Sequence, residues 1–419
     1  MIAEPVAVAD EVGLSGQRLR RIDALMQTFV ERGVVSGAVT LVARKGHIAH
    51  LVAHGDMDLA AHKPMQADAL FRLASMTKPV ISVAVLTLLE EGKLLLSDPV
   101  SAFLPTFRGQ QVAVPNLPVP AWVSSTLETG GFHLEPAQRE ITVRDLLTHT
   151  SGLGSAMVGP CANETLAVAS SIRAGEALAE VIPRMGATPL SFQPGCVWEY
   201  SPGFGFDTLA RIVEVVSGQP IDQYLQQRIF EPLRMPDTTF SVPLNTTSRL
   251  ATVYERGPNG LQPATTIRML SLALDPDNRY YSGGGGLVGT AEDYGHFAMM
   301  LANGGQSPDG ERVLGRKTVR LMASNHIGQL PWDRPVGGDL RGYRFGLGVR
   351  VLEDPGAAAS PASPGTFGWA GAFGTNSFID PVEHMVGIML IQRSMDPNDG
   401  ELRSLWPRFQ NTAYQAIDD

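Results

Sequence analysis

One long apolar stretch near residue 80 limits the possible folds more than any other feature. It covers residues 80–89 and is closed by a Glu-Glu-Gly sequence. The run is too long for a single strand, so it predicts a buried helix of about four turns that begins near Ser75. Pro79 fits this helix only in its first turn, where a missing backbone N–H costs little. The rest of the chain is therefore expected to pack around this helix.

Ser75 and Lys78 lie at the start of the helix, three residues apart. This spacing places them on one face, and the free N–H groups of a helix N-terminus favour developing negative charge. A serine hydroxyl is a poor nucleophile unless a nearby base takes its proton, and burial favours the unprotonated form of a lysine. The pair is common by chance, but a surface lysine has no reason to lie on an apolar helix. The position therefore favours a catalytic pair.

The composition limits partners and compartment. The chain has 419 residues and a net charge of −9, with no basic cluster, which argues against nucleic acid and anionic membrane surfaces. No apolar run reaches the roughly 18 residues of a membrane span, and residues 1–5 do not begin a signal peptide. Cys161 and Cys196 have no metal-site or redox spacing. We expect a cytoplasmic protein with reduced thiols.

Three histidines lie in a predicted β-hairpin made of residues 37–42 and 47–54. On a strand, His50 and His54 share a face and His47 points away. We expect solvated strand histidines here and no metal site.

A glycine-rich sequence at residues 282–289 contains the pattern G-x-G-x-x-G. A dinucleotide site needs a hydrophobic strand directly before this pattern and an acidic residue at the end of a second strand about 20 residues later. Residues 278–281 do not form such a strand, and Asp309 lies in a predicted turn. No nucleotide cofactor is expected.

His149 lies near the end of a helix predicted for residues 141–153. It is a candidate general base. We favour a structural role instead, in which the ring bonds carbonyl groups at the helix C-terminus.

The C-terminal third predicts an antiparallel meander, and its strand-like segments are residues 343–352, 365–371, 375–380 and 385–392. With the N-terminal hairpin they predict one sheet assembled from both ends of the chain and flanked by helices. The fold class is therefore α+β. We expect one domain from residues 1–85 and 305–419, a mainly helical inserted domain from residues 86–304, and the active site at their interface.

Several motifs together resemble the serine β-lactamase and penicillin-binding-protein superfamily, and most closely class C β-lactamases and family VIII carboxylesterases. They occur in the family's order at residues 73–78, 146–153, 200–202, 282–289, 345–348 and 369–371. The resemblance covers roughly residues 15–415. Each motif alone is weak, but jointly they are specific, and they imply the β-lactamase/transpeptidase-like fold.

The resemblance implies a role for each matching residue. Ser75 would be the acylated nucleophile, and Lys78 and Tyr200 would share the proton transfers, with the choice between these two bases left open. The family's Lys-Thr-Gly triplet corresponds to residues 369–371, here Trp369-Ala370-Gly371. The N–H groups of Ser75 and Ala372 would form the oxyanion hole.

Two departures from the family pattern point to esters as substrates. Trp369 replaces the lysine that would bind the carboxylate of a β-lactam or a peptide, and Pro202 replaces an asparagine that contacts the substrate amide. Both changes favour an uncharged ester, so the resemblance implies a carboxylesterase acting on small esters, with no metal or organic cofactor. Tyr281, with Trp369 and Tyr280, is a candidate for an aromatic wall beside Ser75.

Three alternatives stay open at this point. A β-lactamase or D-amino-acid peptidase, or an acyltransferase, would use the same residues. A non-catalytic penicillin-binding-like protein would belong to a different class, although it would not need Ser75, Lys78 and Tyr200 together. The physiological substrate, the acyl chain length and the oligomeric state do not follow from the sequence.

Overall fold

A computed structural model of the chain describes residues 9–116, 131–155, 159–265, 269–330, 340–396 and 398–419. Its strands are β1 Gly37–Arg44, β2 His47–Asp58, β3 Lys63–Pro64, β4 Phe71–Arg72, β5 Gln111–Pro115, β6 Phe132–Pro136, β7 Tyr254–Gly257, β8 Gly260–Pro263, β9 Val288–Gly289, β10 Tyr343–Phe345, β11 Arg350–Leu352, β12 Phe367–Gly368, β13 Asn376–Asp380 and β14 Met385–Ile391. Its helices are α1 Gly16–Glu31, α2 Thr77–Glu90, α3 Val143–Leu147, α4 Ala162–Ser171, α5 Leu178–Gly186, α6 Phe204–Ser217, α7 Ile221–Leu225, α8 Met269–Leu272, α9 Ala291–Ala302, α10 Arg316–Met322, α11 Pro355–Ala358 and α12 Gly400–Tyr414.

The main sheet joins the two ends of the chain. Eight of the described strands form it, in the order β10-β11-β12-β13-β14-β1-β2-β3. β1 is central, with Leu41 opposite Leu51 of β2 on one side and Ile388 of β14 on the other, both antiparallel. Every residue of β1 is buried, because helices cover both faces of the sheet. The predicted α+β fold with a sheet built from both chain ends is confirmed.

The two faces of the sheet pack against different helices. On one face, Ala38 and Val42 of β1 belong to a core shared with α1 and α12. On the other face, Val39 and Leu41 belong to the main core, which includes α2, α6 and α9. The chain thus has helices, sheet and helices in layers. The domain boundaries at residues 85 and 304 stay a prediction.

Helix α2 lies in the main core, as its sequence predicts. Its residues 77–88 are all buried, Lys78 included. Pro79 lies in the first turn. A helix that is apolar all round has to be covered on every side, and α6 is one of the elements that pack against it.

In the Pro-rich segment at residues 105–136, β5 and β6 pair as a hairpin; residues 117–130 of this segment lie outside the described ones. One region differs from the sequence prediction. The helix predicted for residues 141–153 is only α3, which starts with a capping box at Thr142. It ends early because His149 takes a left-handed backbone conformation, with φ 57°.

Among the described residues, none of the helices combines the length and the apolar character required to cross a membrane. The cytoplasmic location stays a prediction.

Candidate active site

The turn that carries Ser75 is held in an unusual conformation. A 3-10 turn, Ala74–Met76, leads directly into α2. Ala74 has φ 48°, in the left-handed region, which costs a residue other than glycine roughly 1–2 kcal/mol. Such strain persists only where the surroundings enforce it. Here Thr375 donates a hydrogen bond of 2.9 Å to the Leu73 carbonyl, and the Leu73 N–H donates one of 2.9 Å to Leu287.

Lys78 is fully buried and lies beside the serine. Its Nζ donates to Ser75 Oγ at 3.0 Å, to the Pro202 carbonyl at 2.7 Å and to the Gly284 carbonyl at 2.6 Å. Nζ also lies 5.0 Å from the centre of the Tyr200 ring. These three contacts hold the lysine amine between Ser75, the segment after Tyr200 and the glycine-rich loop.

Tyr200 completes the group around the serine. Its hydroxyl oxygen lies 2.7 Å from Ser75 Oγ. Its ring lies 4.7 Å from the ring of His149 and 5.5 Å from that of Trp369. Ser75 Oγ is therefore within hydrogen-bond distance of both Lys78 and Tyr200, so the structure brings together the three residues that the sequence singles out.

His149 positions Tyr200 and does not contact Ser75 among the described atoms. Its backbone carbonyl accepts a 3.0 Å bond from the Glu199 N–H, and its Nδ1 accepts a 3.2 Å bond from the Ser201 N–H. These bonds hold the residues on either side of Tyr200. Full burial, and secondarily the nearby Lys78 charge, lower the pKa of His149 well below its usual value, so the ring is neutral. The expectation that His149 bonds helix carbonyls is wrong, because its left-handed backbone turns the ring toward Ser201.

Asp207 fixes the glycine-rich loop against Lys78. This buried carboxylate of α6 accepts hydrogen bonds from Tyr280 Oη at 2.6 Å, Ser282 Oγ at 2.7 Å and the Gly284 N–H at 2.9 Å. The Gly284 carbonyl, on the same residue, accepts from Lys78. The loop is therefore a structural support for the lysine. Nothing in the sequence pairs Asp207 with a loop some 75 positions later.

The segment at residues 369–375 lies against the serine turn. A side chain at Gly371 would overlap the Leu73 carbonyl, so only glycine allows this close approach. Ala372 is exposed, and its backbone N–H has no acceptor among the described residues. Trp369 is 6% exposed and packs edge-on against Phe345 at 5.2 Å. Its indole Nε1 has no hydrogen-bond partner in the described part of the chain.

Tyr281 stacks on Phe240, with ring centres 5.1 Å apart. Burial raises the pKa of its hydroxyl above the usual value, and the Asp222 charge adds to this shift. Its place in a substrate pocket stays a prediction.

Known proteins resemble this chain over nearly its whole length. The sequence profile of the beta-lactamase family matches residues 22–406. Protein Rv1367c of Mycobacterium tuberculosis is 32% identical over 420 residues, which cover 94% of this chain and 98% of that protein. Esterase EstB of Burkholderia gladioli is 31% identical over 403 residues, 91% of this chain and 92% of EstB.

A solved structure agrees with these relatives. EstCE1, described as a hydrolase with promiscuous acyltransferase activity, matches with a TM-score of 0.76 and 26% identity, over 96% of this chain and 99% of its own. The β-lactamase/transpeptidase-like fold implied by the sequence motifs is therefore confirmed.

Proposed function

This chain belongs to the beta-lactamase family, and from that premise we propose that it is a serine esterase that hydrolyses carboxylic esters through an acyl-enzyme on Ser75. The observation that carries the proposal is the position of Ser75 Oγ, 3.0 Å from Lys78 Nζ and 2.7 Å from the Tyr200 hydroxyl. A nucleophile within reach of two proton-transfer groups is what a two-step acyl transfer needs. The esterase EstB among its relatives supports the same chemistry.

We assign the serine proton to Tyr200. Lys78 Nζ is already engaged with the carbonyls of Pro202 and Gly284 as well as with Ser75 Oγ. The Tyr200 hydroxyl oxygen, 2.7 Å from Ser75 Oγ, is the other group within reach of the serine proton, and Lys78 Nζ lies 5.0 Å from the Tyr200 ring. The same tyrosine then returns the proton to the departing alcohol, and it activates the water that hydrolyses the acyl-enzyme.

The N–H groups of Ser75 and Ala372 are our candidates for the oxyanion hole. The Ala372 N–H, which has no acceptor in the described part of the chain, and the close approach of Gly371 to the serine turn support this assignment. Two fixed donors at the developing oxyanion lower the barrier because they need no reorganisation during the reaction, and removing one such donor costs about 3–4 kcal/mol.

Trp369 and Gly371 border the proposed substrate site. The indole occupies the position of the lysine that would bind a carboxylate, and it packs 5.5 Å from the Tyr200 ring. An apolar, space-filling group beside the nucleophile favours a short, uncharged acyl group over a charged lactam. Tyr281 is kept as a further candidate in this site.

Acyl transfer to an alcohol is the second candidate function. It needs the same acyl-enzyme, with an alcohol taking the place of water, and EstCE1 is described as having promiscuous acyltransferase activity. β-Lactamase or peptidase activity is disfavoured by Trp369 and Pro202 for the reasons given above.

The test is intact-protein mass spectrometry after brief exposure to p-nitrophenyl butyrate, beside the Ser75→Ala variant. We expect a mass gain of one acyl group that maps to Ser75, with turnover, and neither in the variant. Nitrocefin and added alcohol distinguish lactamase and transferase activity. Equal hydrolysis by both proteins would refute Ser75 as the nucleophile. A non-catalytic penicillin-binding-like protein would then be the better interpretation of this chain.

A further inference from the structure

A second group of reactive side chains lies between α1 and the sheet. Asp23 of α1 faces His50 and His54 of β2, and one possible ligand atom from each lies within 4.8 Å of the other two. Thr40 of β1 lies between the histidines, with Oγ1 2.8 Å from His50 Nε2 and 3.2 Å from His54 Nε2. The three elements are held together by the core that α1 shares with the sheet.

The histidines are buried, so the expectation of solvated strand histidines is wrong. His50 is 5% exposed and His54 is 7% exposed. The strand pattern correctly places both on one face, but α1 covers that face.

Hydrogen bonding within the cluster leaves Asp23 unsatisfied. The Thr40 hydroxyl has one proton, so it donates to one histidine, and the other histidine has to donate to it. Asp23 Oδ1 is buried and accepts no hydrogen bond from the described residues, and it lies 3.9 Å from His54 Nε2. A buried carboxylate oxygen that has no hydrogen-bond donor among the described residues costs free energy, and a bound cation would offset this cost.

We propose that Asp23, His50 and His54 form a site for one divalent transition-metal ion of the zinc type, with water as a further ligand. Imidazole and carboxylate groups are usual zinc ligands. Ligands at about 2.0–2.1 Å from one tetrahedral ion lie roughly 3.4 Å apart. The ligand atoms of the cluster lie within 4.8 Å of one another, with 3.9 Å between Asp23 and His54, so an ion would draw them closer. The Thr40 hydroxyl would then give up its hydrogen bonds to the two Nε2 atoms.

The site would be structural, not catalytic. Thr40 lies on the same face of β1 as Ala38 and Val42, which belong to the core that α1 and α12 share. The alternate residues Val39 and Leu41 face the main core, which contains α2 and the serine turn. A bound ion would therefore fasten α1 to the β1–β2 hairpin from the side of the sheet away from Ser75. Asp23, the one partly exposed ligand, is the entry point for the ion.

The test is zinc binding by the full chain, produced without a polyhistidine tag and stripped with a chelator. Zn²⁺ is titrated in competition with a chromophoric indicator, and melting temperature is measured with and without zinc. Asp23→Asn and His54→Gln each remove a ligand. His47→Gln is the matched control, because His47 is an exposed histidine on the same strand. Far-UV circular dichroism checks that each variant is folded. If His54→Gln does not fold, Asp23→Asn still tests the site, because Asp23 is partly exposed.

We expect one zinc per chain with a dissociation constant below about 1 µM. Binding should weaken at least about tenfold in Asp23→Asn and His54→Gln, and be unchanged in His47→Gln. Zinc should raise the melting temperature of the wild type and the control only. The proposal is overturned if the wild type binds no stoichiometric zinc, or if all four proteins bind zinc equally.

Discussion

Replacing Asp207 with asparagine tests whether the glycine-rich loop positions Lys78. The carboxylate accepts three hydrogen bonds, of which the one from the Gly284 N–H fixes the residue whose carbonyl binds Lys78 Nζ. Asparagine has nearly the same shape, so the change removes the charge without making a cavity. Asp207 touches neither Ser75 nor Tyr200 in the described contacts, so any effect on catalysis has to pass through the loop.

The expected magnitude follows from the three bonds. A hydrogen bond to a charged group contributes about 1.5–3 kcal/mol and one between neutral groups about 0.5–1.5 kcal/mol, so each weakened bond costs about 1–1.5 kcal/mol of folding free energy and three cost about 3–4.5 kcal/mol. The asparagine NH2 can donate to Tyr280 Oη, which leaves two weakened bonds and an expected cost of about 2–3 kcal/mol. A displaced Gly284 carbonyl misplaces the lysine, and displacements of this kind lower kcat by about 10- to 100-fold.

The assay combines urea denaturation with steady-state hydrolysis of p-nitrophenyl butyrate. Asp293→Asn is the matched control, because Asp293 is also buried and accepts bonds from the Asp237 N–H at 2.9 Å and Thr238 Oγ1 at 2.8 Å. It has no contact with Lys78 among the described residues. We expect Asp207→Asn to lower kcat with little change in KM, and Asp293→Asn to keep kcat within about twofold.

Two results would refute this reasoning. If Asp207→Asn keeps full kcat while its stability falls, the loop does not position Lys78. If both variants lose kcat in proportion to their loss of stability, the effect is general destabilisation.

Three further predictions concern other parts of the molecule. Gly371→Ala should abolish most ester hydrolysis, because the added Cβ would overlap the Leu73 carbonyl. Gly400→Ala is the control, since Gly400 has open space around it. Equal activity of the two variants would contradict the close approach of Gly371 to the serine turn. Trp369→Leu should raise kcat/KM for longer acyl chains relative to acetate across a p-nitrophenyl ester series, and an unchanged ratio would remove the indole from the acyl site. Burial raises the pKa of Asp293 to about 6 from 3.8, so the folded state binds this proton more tightly than the unfolded state. The free energy of unfolding of the wild type should therefore fall by up to about 3 kcal/mol relative to that of Asp293→Asn as pH rises from about 4 to about 6. If urea denaturation gives the same pH dependence for both proteins, this prediction is wrong.

Local sequence patterns predicted the parts of the fold that depend on neighbouring residues. The helix after Ser75, the N-terminal hairpin and the C-terminal meander are all present. Their signals are periodicity and turn residues, which act over a few positions. The pairing of strands from both chain ends was predicted as well, because the strand-like segments lie near the two ends of the chain with helices between them.

The sequence was less informative where a residue's surroundings come from distant parts of the chain. His50 and His54 have the pattern of a half-exposed strand, and only the packing of α1 buries them beside Asp23. Likewise, α3 ends before His149 because the backbone of His149 is left-handed. This conformation brings its ring to Ser201, about 50 residues later in the chain. No local pattern contains these contacts.

The sequence by itself determined the nucleophile candidate, since the spacing of Ser75 and Lys78 on an apolar helix fixes their common face within one turn. The motif order then identified Tyr200 as their partner. The tertiary structure alone decided how Ser75, Lys78 and Tyr200 are held. His149 accepts hydrogen bonds from the residues before and after Tyr200, and Asp207 fixes Gly284, whose carbonyl binds Lys78. The physical reason is range, because helical spacing acts within one turn, whereas hydrogen bonds between segments form only after the core has brought those segments together.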